Sequence, residues 1–490
     1  MEIIWYDIKL IWHWLFDNLI ILNLIFSFII IFFQRRNPKS VWGWLLLLYF
    51  IPIAGFLLYL ILGEDMHKSK MFRIKEIEDE LNLTIHNQTE SILSKTFKKK
   101  SIQIKKHTDL ILYNLESSGA IFTDDNAVEI YTDGHEKFHA VFEEIRKAKV
   151  YIHIQYYIIR NDELFDELKT LLIQKAKEGV EVRILYDGMG GRGIRKREWR
   201  RLEKLGVHSA EFFPAVFGRF HFRINYRNHR KIIVIDGKTG FVGGFNIGRE
   251  YLGKSEKFGC WRDTHLKITG SAVQYLQIRF LLDWNYASDE NLLRNDKYLT
   301  TPNEKEAGDC GIQIVSSGPD STYKNIRNNY LKLFSNAQKS IFIQTPYFIP
   351  DESIFDALRM AALSGVDCRL MIPCKPDHPF VYWATYSYVG DMIDAGVKCY
   401  TYDNGFLHAK GVVVDQKMAC YGTANMDIRS FELNFEVNAT IYSENICKKL
   451  HRIFLNDLEH CTQITPAVYK RRNLMIRMKE QVCRLLSPIL

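Results

Sequence analysis

Five residues at fixed spacing occur twice in the chain: His229, Lys231, Asp236, Gly243 and Asn246, then His408, Lys410, Asp415, Gly422 and Asn425. Both sets obey H-x-K-x4-D-x6-G-x2-N. A lone His-x-Lys pair arises readily by chance, but agreement at all five positions within one chain excludes coincidence. Residues two apart on a strand project from one face. Each His–Lys pair, leading into Ile232-Ile-Val-Ile235 or Val412-Val-Val414, can therefore address a single anionic group. Gly243, Gly244 and Gly422 permit close backbone approach, and Asn246 or Asn425 can return a side-chain donor to the same place.

A phosphate fits this inventory. Two lysines and two asparagines offer fixed charge and donors to its non-bridging oxygens. Two histidines facing one phosphorus suggest covalent catalysis, one attacking as neutral imidazole while the other, protonated, gives its proton to the departing alkoxide. An imidazole pKa of about 6.5 suits either task, and the expected intermediate is a phosphohistidine. Such an imidazole needs a carboxylate to fix its tautomer. Asp263 in the first half and Glu436 in the second are the candidates, with Glu432 as a rival to Glu436. A metal centre is the competing reading of paired histidines. It is disfavoured because a lysine beside each histidine opposes a cation and no cysteine or carboxylate cluster has ligand spacing. No metal or cofactor is expected.

The elements that carry these residues also repeat. Strand-like Val150–Gln155, helix-like Glu163–Glu178, strand-like Val180–Tyr186 and helix-like Trp199–Leu205 are matched by Ser340–Gln344, Glu352–Leu363, Val366–Ile372 and Tyr386–Ala395. Glycines end the helices at corresponding joints, in Glu178-Gly-Val180, Ser364-Gly-Val366, Leu205-Gly-Val207 and Ala395-Gly-Val397. The alternation predicts an α/β fold of two tandem domains, at 120–285 and 310–465, related by pseudo-two-fold symmetry and built on largely parallel sheet.

The N-terminus departs from the globular composition of the remainder. Leu19–Phe33 is apolar apart from Asn23 and Ser27, and Val41–Leu62 carries no charge. The pair reads as a transmembrane helical hairpin over 1–63, followed by an adaptor over 64–119. It lacks the basic start and small-residue cleavage site of a signal peptide. Nine cysteines without paired spacing suggest reduced thiols and a cytoplasmic body on a multi-pass membrane anchor. Net charge is +8, with basic clusters at Lys95–Lys106 and in the 466–490 segment, which reads as a basic amphipathic helix suited to an anionic membrane surface.

These residues resemble the phospholipase D superfamily, whose hallmark is the duplicated His-Lys-Asp motif, and within it the bacterial cardiolipin synthases. The closer likeness lies in Asn225-Tyr-Arg-Asn-His229, Gly243-Gly-Phe-Asn-Ile-Gly248, Gln344-Thr-Pro-Tyr-Phe-Ile-Pro350, Gly405-Phe-Leu-His-Ala-Lys410 and Leu485-Leu-Ser-Pro-Ile-Leu490. The resemblance implies His229 as nucleophile, His408 as acid and base, and Asp236 and Asp415 as supporting members of the catalytic motif. It also implies two phosphatidylglycerol molecules as substrates, with cardiolipin and glycerol as products. The alternatives are a phospholipase D-type hydrolase, or a transferase using another headgroup such as phosphatidylethanolamine. A nucleic-acid substrate is disfavoured because no platform of interleaved aromatic and basic residues is evident. Oligomeric state does not follow from the residues.

Overall fold

Ile232–Ile235 and Gly411–Val414 are buried along their whole length, as strands covered on both faces must be. They are the inner strands of a computed structural model that describes residues 38–51, 75–94, 106–214, 226–299 and 308–487, with scattered positions between 14 and 55. Asn225, the run from Lys95 to Lys105 and residues 488–490 lie outside the described residues. The chain divides into two compact units, one of residues 1–70 with 215–225 and the other of 71–214 with 226–490.

In the larger unit, the first-half strands lie in the order Phe122–Tyr131, His265–Thr269, Thr239–Gly243, Ile232–Ile235, Tyr151–Tyr156, Glu181–Asp187, Val207–Phe212. The second half follows the same order with Cys310–Ser317, Asn434–Tyr442, Met418–Gly422, Gly411–Val414, Ser340–Gln344, Asp367–Pro373 and Lys398–Tyr402, and adds Cys461–Gln463 at its edge. Phe122–Tyr131 pairs antiparallel with Cys310–Ser317, Phe122 opposite Gln313. The strand order therefore reads outward alike from this pair, as pseudo-two-fold symmetry requires. The two halves share one continuous sheet.

The expectation of a largely parallel sheet needs correction. Along this strand order, the parallel pairings join Tyr151–Tyr156, Glu181–Asp187 and Val207–Phe212, and their counterparts Ser340–Gln344, Asp367–Pro373 and Lys398–Tyr402. The motif strands pair antiparallel. The cause is local. Helices Glu163–Lys177 and Lys196–Lys204 provide crossovers between the parallel strands, whereas Ile232–Ile235 and Thr239–Gly243 are joined by a turn too short for anything but reversal.

That turn depends on Asp236, whose φ is 52°. Its carboxylate accepts from the backbone N–H groups of Lys149, Val150 and Tyr151 at 2.7, 2.8 and 2.9 Å. Asp415 repeats the device at φ 52°, accepting from Gln338, Lys339 and Ser340 at 2.9, 2.7 and 2.8 Å. Each aspartate thus clamps the start of the neighbouring inner strand. The glycines at the helix joints also lie in the left-handed region, Gly179 at 88° and Gly365 at 90°.

Helices cover both faces. Asp162 caps Glu163–Lys177 by accepting from Phe165 N–H, and Asp351 caps Glu352–Leu363 by accepting from Ile354 N–H. Leu276, Phe280 and Trp284 of Ala272–Ala287 share one core with Val437, Ile441 and Leu450 of the second half, so apolar burial fuses the halves. Within 64–119, Thr108–Ser118 inserts Leu110, Ile111 and Leu115 into the second-half core. Gln88 of Lys75–Leu93 pairs with both the N–H and the carbonyl of Phe122, at 2.9 and 3.0 Å.

In the smaller unit, Pro38–Phe50 is helical, and Asn23 Nδ2 donates to Leu48 O at 3.1 Å. The two apolar segments therefore meet. No helix among the described residues is long and apolar enough to cross a membrane, and much of Leu19–Phe33 and Val41–Leu62 lies outside them.

Candidate active site

The two copies of the motif meet at a single site. His229 and Lys231 lead into Ile232–Ile235, while His408 and Lys410 lead into Gly411–Val414. All four side chains are buried, with Lys231 and Lys410 almost wholly removed from solvent. Each lysine ammonium turns back onto its own histidine's carbonyl, Lys231 Nζ reaching His229 O at 2.6 Å and Lys410 Nζ reaching His408 O.

The carboxylates cross between the halves. His229 Nδ1 meets Glu436 Oε1 and Oε2 at 2.9 and 3.0 Å, although Glu436 lies on the second-half strand Asn434–Tyr442. His408 Nδ1 meets Asp263 Oδ2 at 2.6 Å, from the first half. A fully buried carboxylate at Nδ1 draws the ring proton to that nitrogen and leaves the Nε2 lone pair as the reactive one; His408 Nδ1 also has Lys410 Nζ at 2.8 Å, which competes with Asp263 for it. Among the described residues neither Nε2 has a hydrogen-bond partner. The carboxylates are themselves fixed. Thr423 Oγ1 and Asn434 Nδ2 donate to Glu436 at 2.5 and 3.2 Å, and Thr264 N–H donates to Asp263 Oδ1 at 2.7 Å.

The glycines are needed for this approach. A Cβ on Gly244 would lie 1.9 Å from Asp263 Oδ1, one on Gly243 would lie 2.5 Å from His265 Cα, and one on Gly422 would lie 2.3 Å from Asn438 Oδ1. The asparagines part ways. Asn246 accepts from Ile158 N–H at 3.1 Å and donates to Tyr251 OH at 3.0 Å, so it braces the loop. Asn425 Oδ1 is buried without a hydrogen-bond partner among the described residues.

Asp236 and Asp415, expected as supporting members of the motif, spend their carboxylates on strand-start N–H groups. They stand at the far end of a four-residue strand from the histidines, about 20 Å along the chain. Glu432, the rival to Glu436, forms an ion pair with Lys324 at the surface.

Sequence reasoning missed the supports behind the carboxylates. Arg230 Nη1 binds both oxygens of buried Asp283 at 2.6 Å, and its Nε donates to Glu436 O at 3.1 Å. Arg262 binds Asp457 through Nε and Nη2 at 2.9 and 2.7 Å, and its Nη1 also reaches the Asp263 carbonyl. Gln155 and Gln344 complete the two units by donating to Asp283 at 2.6 Å and to Asp457 at 2.7 Å. A signal existed: these glutamines occupy matching positions near the ends of matching strands.

Burial dominates the electrostatics. It lowers His229 to about 4 despite Glu436, with Lys231 pushing the same way, and lowers His408 to about 4 together with Lys410 and against Asp263. Lys410 is lowered to about 8 by burial, and Lys231 lies well below the usual lysine range for the same reason. Burial opposes ionisation of both carboxylates too, but Lys410 and His408 hold Asp263 low, and His229 and Lys231 hold Glu436 low. At neutral pH both imidazoles are therefore neutral and both carboxylates ionised. Among the described residues no group of three or more His, Cys, Asp or Glu side chains is arranged to hold a metal.

The family model described as "Cardiolipin synthase, PLD-like domain" matches residues 141–278 and 330–458, and the model "Phospholipase_D-nuclease N-terminal" matches 21–64. A cardiolipin synthase of Staphylococcus aureus (strain N315) is 50% identical over 478 residues, covering 97% of this chain and 96% of that protein. The major cardiolipin synthase of Bacillus subtilis (strain 168) is 50% identical over 473 residues, covering 96% and 98%. Among solved structures, phosphatidylserine synthase of Haemophilus influenzae aligns with a TM-score of 0.59 over 80% of this chain and all of that one. At 17% identity that likeness concerns the fold alone.

An incoming dianion offsets the two lysines and raises the proton affinity of both imidazoles. Binding of tungstate, a phosphate-shaped dianion that does not titrate near neutrality, should therefore take up about one proton at pH 7 and tighten as pH falls. Calorimetry in two buffers of different ionisation enthalpy reads this uptake directly. Equal heats in both buffers would contradict the electrostatic assignment.

Proposed function

This chain belongs to the cardiolipin synthase family of phospholipase D-like enzymes and is a phosphatidyltransferase, and we propose that it joins two phosphatidylglycerol molecules through a phosphohistidine formed on His229. The observation that carries this reading is the crossed pairing of each histidine Nδ1 with a buried carboxylate of the other half, which leaves both Nε2 atoms for the chemistry.

In the first step, His229 Nε2 attacks the phosphorus of one phosphatidylglycerol. The P–O bond to its headgroup glycerol breaks, and His408 Nε2 delivers a proton to the departing oxygen. In the second step, His408 takes the proton from the terminal hydroxyl of another phosphatidylglycerol, whose oxygen displaces the imidazole and forms cardiolipin. Lys231 and Lys410 neutralise charge on the non-bridging oxygens throughout, and Asn425 offers its side chain beside them. Asn246, Gly243, Gly244 and Gly422 shape the backbone around the phosphorus. One phosphodiester replaces another, so the reaction is near balance and reversible.

The enzyme acts at a membrane. We assign the anchor to a hairpin of two spanning segments in residues 1–63 and place the catalytic body in the cytoplasm. A second seat is the helix Leu474–Leu485. Its buried Glu480 and Cys483 face the body, where Arg484 pairs with Asp391 at 2.7 Å. Leu474, Met475, Met478, Val482 and Leu485 remain 57–81% exposed. With Lys470, Arg471, Arg477 and Lys479 around them, these side chains suit the surface of an anionic bilayer.

Purified protein in phosphatidylglycerol vesicles should form cardiolipin and glycerol in equal amounts, and His229→Ala or His408→Ala should reduce turnover by at least about a thousandfold. Phosphatidic acid as the main product would make water the acceptor and overturn the transferase reading. A chain lacking residues 1–62 should still bind anionic vesicles at low salt and be released at high salt. Release that does not depend on salt would remove the C-terminal helix as an electrostatic seat.

A further inference from the structure

The helix Lys196–Lys204 carries its charge against two local preferences. Its start holds cations, at the N-cap Arg195 and at Lys196 and Arg197, where the helix dipole favours anions. Lys196, Arg200 and Lys204 then follow at intervals of four, as do Arg197 and Arg201, so like charges are neighbours on the helix surface. The carboxylates nearby are committed elsewhere. Glu198, the acid of the first turn, accepts from Lys169 at 2.9 Å, and Glu203 meets His208 Nδ1 at 2.8 Å and the Ser209 N–H at 3.1 Å. Arg201 and Lys196 come no nearer than 4.0 Å to Glu198 and Glu211, and among the described residues Arg195, Arg197, Arg200 and Lys204 have no ion pair. All six cations are exposed. The other side of the helix is fixed to the body, with Trp199 and Leu202 buried and the Trp199 ring stacked on Tyr186 at 4.3 Å.

The symmetry of the fold places this surface. Lys196–Lys204 connects Glu181–Asp187 to Val207–Phe212 as Pro379–Asp394 connects Asp367–Pro373 to Lys398–Tyr402. Pro379–Asp394 is covered by the C-terminal segment, with Tyr388 OH on Ser487 Oγ at 3.1 Å and the Arg484 guanidinium 4.4 Å from the Tyr388 ring. The parallel strands end where the histidines stand, Gln155 pairing with Ile232 and Gln344 with Gly411. Asp187, the last residue of its strand, accepts from the Asn228 N–H beside His229 at 2.8 Å. Lys196–Lys204 and the C-terminal helix therefore flank the site, one on each half.

A surface that repels itself is stabilised by a partner that supplies many negative charges at once. We propose that Lys196–Lys204 is the membrane seat of the first half, binding the headgroups of an anionic bilayer, so that this helix and the C-terminal one hold the histidines against the lipid from two sides. Beside its cations and Asn161, Asp166 and Lys169 lies an open hollow of about 810 Å3, room for a headgroup. The proposal rests on the reading of the C-terminal helix as a seat. It differs in chemistry, since the exposed part of Lys196–Lys204 is charged and that of the C-terminal helix is also apolar.

The test uses the full chain in lipid nanodiscs, made of phosphatidylcholine alone or of phosphatidylcholine with phosphatidylserine. Neither contains phosphatidylglycerol, so the proposed reaction does not run. Acetylation rates of single lysines are read by mass spectrometry. On the anionic discs Lys196 and Lys204 should react about fivefold more slowly than on the neutral ones, the factor for one charge held at the lipid surface, and high salt should remove the difference. Lys149 and Lys339, exposed at the opposite end of the inner strands, should react alike on both. Equal rates on the two discs at Lys196 and Lys204 would overturn the seat. Slowing at Lys479 of the C-terminal helix without slowing at Lys196 and Lys204 sinks this surface alone, whereas equal rates at all three sink the C-terminal seat as well. Slowing that extends to Lys149 and Lys339 would assign the effect to the reagent and equally overturn the proposal.

Discussion

Each histidine of the site takes its orienting carboxylate from the other half of the chain, and the rest of the structure serves that exchange. Glu436 can reach His229, and Asp263 can reach His408, because the halves share a continuous sheet and a common apolar core. Separated halves would leave two imidazoles without orientation and two carboxylates buried without partners, each a costly state. Catalytic geometry and domain assembly are therefore one constraint. The buried Arg230–Asp283 and Arg262–Asp457 pairs strengthen it, since each arginine also binds the backbone carbonyl of an orienting carboxylate residue, Glu436 or Asp263. Such pairs add little net stability but fix position, because breaking either leaves a charge stranded in the interior.

The same burial sets the chemistry. Removing two lysines, two histidines and two carboxylates from water lowers the imidazole pKa values and weakens the hold on the lysine protons. A phosphate bound beside these groups adds negative charge, which raises the proton affinity of the imidazoles and favours the protonated form that acid catalysis needs.

Much of this was legible in the sequence. His229, Lys231, His408 and Lys410 could be placed around one phosphate because alternation on a strand is a local rule, and the repeated glycines marked the helix joints. The crossing of the carboxylates was not legible. Asp263 and His408 are 145 residues apart and Glu436 and His229 are 207 apart, and no local pattern encodes which carboxylate meets which ring. The support that Asp236 and Asp415 give was legible only as a role, not as its partners. Their repetition looks like chemistry, yet both halves need the same clamp on the same strand. The antiparallel motif strands escaped notice because the helices, not the short turn between the strands, dominated the reading of the pattern.

The crossed pairing is tested most directly by nitrogen-15 NMR of the imidazoles in Glu436→Gln, with His229 and His408 assigned by single replacement. Glu436 shares its half with His408, so intuition from sequence and the present geometry disagree about which ring responds. The account predicts that the tautomer and titration of His229 change while those of His408 stay close to their original values. A response confined to His408 would contradict it, and with it the claim that neither half holds a complete site.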